Sequence, residues 1–174
     1  MPICYLDRDG VINHHLPYVG SIDRFIWFEE IIDIALKIHK YDYKFIVITN
    51  QSGIARGFYT LDDFFELNKI IIDKFKKNGI DIQIRFCPHH PEDKCNCRKP
   101  NIGMTKGDKR SVKDIFIGDQ ISDMECAFNS GVKNRWLINA ELRSKFATRQ
   151  AKNHKFLLSK FENWYSSDID LSIS

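Results

Sequence analysis

Ile3-Cys4-Tyr5-Leu6-Asp7-Arg8-Asp9-Gly10 is an apolar run that breaks abruptly into two carboxylates and a glycine. The run is strand-sized, and the break marks a turn at its end. Further β-like runs lie at Phe45 to Thr49, Ile82 to Phe86, Ile115 to Ile117 and Trp136 to Ile138. Helix-length amphipathic segments separate them. Glu29 to Lys40 carries Ile31, Ile32, Ala35, Leu36 and Ile38 at helical spacing. A second helix is predicted from Thr60 as N-cap, with Asp63 in the capping-box position, to Gly79 as its stop. Ser122 to Asn129 reads as a helix stopped by Gly131, and Asn101 to Lys113 as a short or broken one. His154 to Tyr165 reads as a surface-packed C-terminal helix. This alternation predicts an α/β fold, a three-layer Rossmann-like parallel sheet with helices on both faces, as a single domain over residues 1–174.

Composition agrees with one globular domain. The 174 residues are 43% hydrophobic and 28% charged, which excludes disordered and collagen-like classes. A net charge of +3 is too mild to argue for nucleic acid, and Lys106, Lys109, Arg110 and Lys113 read as a solvated face. The first ten residues reach Asp7 without the apolar stretch of a secretory signal, and the longest apolar runs are strand-sized, so a cytoplasmic protein without a membrane segment is expected.

Open α/β sheets bind ligands beyond the C-terminal ends of their strands. Read together, those ends offer Asp7, Asp9, Thr49 and Asp119, with Arg98-Lys99 following the third run. The set suits phosphoryl transfer, where charge must be neutralised and attack kept in line. Asp7 is the expected nucleophile and Asp9 the expected acid and base. Acids so close need a cation among them, and Mg²⁺ on Asp7, Asp119 and the Asp9 backbone carbonyl is expected. Thr49 and Lys99 would hold the phosphoryl oxygens, with Asp123 in support.

Three of the five cysteines crowd between residues 87 and 97. Cys87, Cys95 and Cys97 with His89 or His90 form a donor set that Zn²⁺ takes in closed structural sites. Such a clip would brace Arg98-Lys99. Cys4 and Cys126 read as core thiols, and His14 as either a substrate contact or a solvated loop residue.

These motifs resemble those of the haloacid dehalogenase-like phosphatases. Asp7-Arg8-Asp9-Gly10-Val11-Ile12-Asn13 is similar to their first motif, Thr49 to the second, Lys99 to the third, and Gly118-Asp119-Gln120-Ile121-Ser122-Asp123 to the fourth. Thr49 to Gly57, with Cys87-Pro88-His89-His90 and Cys95-Asn96-Cys97-Arg98-Lys99-Pro100, resembles the heptose-1,7-bisphosphate 7-phosphatase branch.

That resemblance implies Mg²⁺-dependent cleavage of the 7-phosphate through a phospho-aspartate on Asp7, by a monomer without a large cap domain, in activated-heptose synthesis for lipopolysaccharide. It implies that Arg98 reads the substrate, a small phosphorylated sugar. Arg8, His15, Leu16, Pro17, Tyr18, Asn50, Gln51 and Ser52 would line the sugar site, and His89 would be the zinc imidazole. Position 120, commonly Lys in the family and a substrate contact, is Gln120 here, which keeps a donor and loses a charge. Histidinol-phosphate phosphatase, another small sugar-phosphate phosphatase and a non-catalytic zinc-braced binding module are the competing functions.

Overall fold

The computed structural model describes residues 1–168; residues 169–174, the end of the expected domain, lie outside the described residues. Six strands form one parallel sheet: β1 (Ile3–Leu6), β2 (Lys44–Asn50), β3 (Ile82–Cys87), β4 (Ile115–Gly118), β5 (Asn134–Ile138) and β6 (Arg149–Ala151). Their order is β3-β2-β1-β4-β5-β6, so β1 pairs with both β2 and β4, Leu6 lying beside Val47 and Ile117. The chain winds one way from β1 to β3 and the other from β4 to β6. A crevice opens where the winding reverses, outside the strands' C-terminal ends. Asp7 and Asp119 are the first residues past β1 and β4, so this topology sets them side by side.

Side chains alternate across the sheet. Cys4, Leu6, Phe45, Val47, Ile115, Ile117 and Trp136 pack on one face, under α1 (Ile31–His39), α2 (Leu61–Lys76) and α4 (His154–Asp168). Tyr5, Ile46, Ile48, Phe116 and Leu137 pack on the other, under α3 (Ile121–Asn129) and the segment carrying Cys95, Cys97 and Met104. The expected cap of α2 is present: the Asp63 N–H donates to Thr60 Oγ1 at 3.1 Å, and the Thr60 N–H to Asp63 Oδ2 at 2.7 Å. Cys4 and Cys126 are fully buried core thiols, as expected.

Three expectations are corrected. Asn101 to Lys113 forms turns and no helix. Polar side chains hold this stretch instead: Asp108 accepts from Arg85 Nη1 at 2.7 Å and from the Tyr5 hydroxyl at 2.8 Å, and Arg110 donates to the Tyr5 hydroxyl and to Thr105 O. Arg110 is therefore anchored and not merely solvated. Edge strand β6 was not expected, because Arg149-Gln150-Ala151 turns only Ala151 to the core. Helix α4 is part of the core, since Leu157, Phe161 and Tyr165, spaced four apart, are buried and Phe161 meets Trp136 edge-on at 5.8 Å. Among the described residues, no helix is long and apolar enough to cross a membrane.

Candidate active site

Asp7 is held where β1 ends, its N–H donating to Ile117 O at 3.0 Å. Its Oδ1 accepts from Lys99 Nζ at 2.7 Å and from the Arg8 N–H at 2.8 Å. Lys99 Nζ also lies 2.6 Å from Asp123 Oδ1 and donates to Ile48 O at 2.9 Å. The Asn50 amide clasps the Lys99 backbone, accepting its N–H at 3.0 Å and donating to its carbonyl at 3.3 Å. Burial works against the ammonium's charge, but the Asp123 and Asp7 carboxylates outweigh it and raise the group above its usual range. Burial, then the neighbouring Asp123 charge, pushes the Asp7 carboxyl well up, and Lys99 pulls it back.

Asp7, Asp119 and Asp123 bring one carboxylate oxygen each to within 4.8 Å of the others. Asp123 Oδ2 is committed to the backbone N–H groups of Asp119 and Gln120, at 3.1 and 3.0 Å, which starts α3. Asp119 Oδ2 takes Gln120 Nε2 at 2.7 Å and His15 Nδ1 at 3.2 Å, and the Asp119 bond pushes the His15 imidazole up to about 8. Asp119 Oδ1 is buried without a hydrogen-bond partner. An unpartnered carboxylate oxygen beside a second buried carboxylate fits a hard divalent cation with oxygen ligands. Gly10 makes the approach possible: its φ is +94°, and a Cβ there would lie 2.2 Å from the Asp119 carboxylate.

A cavity of about 420 Å³ opens over Asp7 and Asp123, with Asp119 behind its wall. Of the expected residues, Asp7, Asp9, His15, Leu16, Pro17, Tyr18, Thr49, Asn50, Gln51, Ser52, Arg98, Lys99, Gln120 and Asp123 line it. Arg98 adds a buried Nη1 without a partner. Arg8 lies off the wall: it is fully buried and turns its guanidinium to Asp9 and to Val19 O, the latter at 2.7 Å. It therefore meets Asp9 and not the cavity. His14 is also off the wall, stacked on Phe28 at 4.1 Å. Val19, Gly53, Tyr59 and Ser122 complete the lining; Gly53 and Ser122 lie within the second and fourth motifs, whereas nothing in the sequence marks Val19 or Tyr59. Tyr59 sits in a turn-rich stretch with no periodic signal, and its hydroxyl donates to Gln51 Oε1 at 2.5 Å.

Beyond β3 the chain doubles back and gathers Cys87, His89, Cys95 and Cys97, their donor atoms all within 4.8 Å. Cys87 Sγ and Cys97 Sγ each lie 3.5 Å from Cys95 Sγ, and His89 Nδ1 is 3.1 Å from Cys97 Sγ. A tetrahedron of zinc–thiolate bonds has edges of about 3.8 Å, so little movement separates this cluster from a closed metal site. His90 is occupied elsewhere, its Nδ1 accepting the Glu92 N–H at 3.3 Å in the turn Pro91–Asp93. His89 is thus the imidazole in the cluster.

The polynucleotide kinase 3 phosphatase family model matches residues 12–163. The D-glycero-alpha-D-manno-heptose-1,7-bisphosphate 7-phosphatase of Campylobacter jejuni is 38% identical over 164 residues, 91% of this chain and 94% of that one. The D-glycero-beta-D-manno-heptose-1,7-bisphosphate 7-phosphatase of Helicobacter pylori 26695 is 37% identical over 162 residues, 88% of this chain and 94% of that one. The crystal structure of D,D-heptose 1,7-bisphosphate phosphatase from B. bronchiseptica, complexed with magnesium and phosphate, matches with a TM-score of 0.81 at 26% identity, covering 94% of this chain and 99% of that one. Sheet order, strand-end carboxylates and these likenesses agree: the chain belongs to the haloacid dehalogenase-like phosphatases, in the family that the polynucleotide kinase 3 phosphatase model describes.

Proposed function

We propose that this chain is a cytoplasmic, monomeric phosphatase of one domain that removes the 7-phosphate of D-glycero-D-manno-heptose 1,7-bisphosphate, on the route to nucleotide-activated heptose. The observation that carries the reading is the buried Lys99–Asp7 pair, 2.7 Å apart, beside the unpartnered oxygen of Asp119. Asp7 attacks phosphorus, and the bond from phosphorus to the C7 oxygen breaks. Asp9 gives that oxygen its proton. The Lys99 ammonium and the Thr49 hydroxyl hold the phosphoryl oxygens as charge redistributes. Asp9 then takes a proton from water, the water oxygen bonds to phosphorus, and Asp7 is released with inorganic phosphate. Mg²⁺ held by Asp7, Asp119 and the Asp9 carbonyl would neutralise phosphoryl charge. Arg98, with its free buried Nη1, is the donor we assign to the substrate. Leu16, Pro17, Tyr18, Asn50, Ser52 and Gln120 form the sugar wall.

Relatives of near-equal identity carry alpha and beta anomers in their names, so both anomers belong in the assay. Phosphate release in Mg²⁺ is expected to be at least about 10²-fold more efficient, by kcat/KM, on one heptose 1,7-bisphosphate anomer than on histidinol phosphate. Equal or better turnover of histidinol phosphate would move the substrate assignment to that compound.

We assign Zn²⁺ to Cys87, His89, Cys95 and Cys97 as a structural brace. The last ligand directly precedes Arg98 and Lys99, so metal binding would order the segment that carries both. Cys97→Ser is expected to reduce bound zinc from about one equivalent to near none and to lower Tm by about 5–10 °C. Metal analysis and thermal melts check both; an unchanged melt with zinc lost would remove the bracing role.

A further inference from the structure

The Asp9 carboxylate is gripped from both sides. Arg8 Nη2 and Asn13 Nδ2 donate to Oδ1 at 3.0 and 2.9 Å, and Arg8 Nε and Gln51 Nε2 donate to Oδ2 at 3.2 and 2.8 Å. Gln51 is itself doubly engaged, because Nε2 also donates to Thr49 Oγ1 at 2.7 Å. Its amide therefore shows nitrogen to Asp9 and Thr49 and oxygen to the opposite side. There the Tyr59 hydroxyl donates to Oε1 at 2.5 Å. Turned over, the amide would set its oxygen against the Asp9 carboxylate and lose the short bond in which the Tyr59 hydroxyl donates to Oε1. Burial pushes the Tyr59 phenol up to about 12, so it keeps that proton at neutral pH.

The Tyr59 ring is itself fixed. A Cβ on Gly20 would lie 2.1 Å from its Cγ, and one on Gly53 would lie 2.3 Å from its Cε1. Two loops thus each bring a glycine close against one aromatic ring, where a side chain would collide with it. The Gln51 backbone is tied to the sheet by its N–H, which donates to Cys87 O at 2.8 Å.

We propose that Tyr59, acting through the Gln51 amide, is a positioning residue for the Asp9 carboxylate. The proposal rests on the reading of Asp9 as acid and base. Tyr59 touches neither the phosphoryl group nor the leaving oxygen in this role. It keeps the amide turned so that Asp9 meets a donor, and Asp9 is then aimed when its proton passes to the departing oxygen.

The test separates substrates that need that proton from one that does not. p-Nitrophenyl phosphate releases a stabilised phenolate, whereas a sugar phosphate releases an alkoxide-like oxygen that must be protonated. Because kcat/KM covers only the steps through leaving-group departure, hydrolysis of the phosphoenzyme does not enter. Tyr59→Phe keeps the ring in its slot and is expected to lose about 5- to 10-fold in kcat/KM on heptose 1,7-bisphosphate and at most about twofold on p-nitrophenyl phosphate. Gln51→Met, which also removes the donor to Thr49 Oγ1, should lose activity on both substrates, and adding Tyr59→Phe to it should cost nothing further on the sugar phosphate. Equal losses of Tyr59→Phe on the two substrates, or additive losses in the double variant, would overturn the positioning role and leave the phosphatase reading standing. A wild-type protein inactive on both substrates would instead remove that reading, and the inference with it.

Discussion

Asp7→Asn should slow phosphate release from heptose 1,7-bisphosphate by about 10⁴-fold or more while leaving the fold intact. The change is nearly isosteric, and an amide oxygen can still accept from Lys99 Nζ, which donates to Asp7 Oδ1 at 2.7 Å. An amide cannot form the acyl phosphate through which the proposed reaction passes. It also removes one negative charge from a pocket shared with Asp119 and Asp123, so the folded state is not expected to suffer. Steady-state phosphate release with a thermal melt checks both halves. Turnover within about tenfold of wild type would mean that water is activated without a covalent intermediate.

Lys99→Met carries the second large effect. The ammonium lies 2.7 Å from Asp7 Oδ1 and 2.6 Å from Asp123 Oδ1, and it is nearly inaccessible to solvent. Removing one partner of a buried ionic group strands the other charges, which costs about 3–5 kcal/mol. The loss should be greatest in Mg²⁺-free buffer and smaller when Mg²⁺ is added, because a bound cation offsets part of the stranded charge. Urea denaturation at two Mg²⁺ concentrations reads this directly. Activity should fall by about 10²- to 10³-fold, as for other lost electrostatic stabilisers. A variant as stable as wild type without Mg²⁺ would show that the three carboxylates do not need the lysine.

Much of this architecture is legible in the chain, for reasons that differ by residue. Asp7 and Asp119 stand out because each directly follows an apolar run, and a parallel sheet sends such residues to one edge. The zinc loop stands out because Cys87, Cys95 and Cys97 crowd together in a chain whose other two cysteines are isolated. Lys99 follows no strand directly; its place after the third run and behind the cysteine cluster, with its likeness to the third motif, brings it into view. Edge strand β6 escapes notice because its residues have no apolar alternation, and the stretch after Asn101 misleads because side-chain bonds to Asp108 replace the backbone ladder of a helix. Tyr59 is hidden for a third reason. Its meaning lies in contacts with Gln51, Gly20 and Gly53, which belong to two different loops and have no common period. The inward turn of Arg8 is equally invisible, because a sequence gives no sign of which way a guanidinium next to an active carboxylate will face.

The most direct test of the central claim is a ³¹P NMR time course of the wild-type protein with D-glycero-D-manno-heptose 1,7-bisphosphate and Mg²⁺. The C7 phosphate resonance is expected to give way to inorganic phosphate while the anomeric C1 phosphate persists, and chelating Mg²⁺ is expected to stop the conversion. Loss of the C1 phosphate first, or no release from either anomer, would contradict that claim.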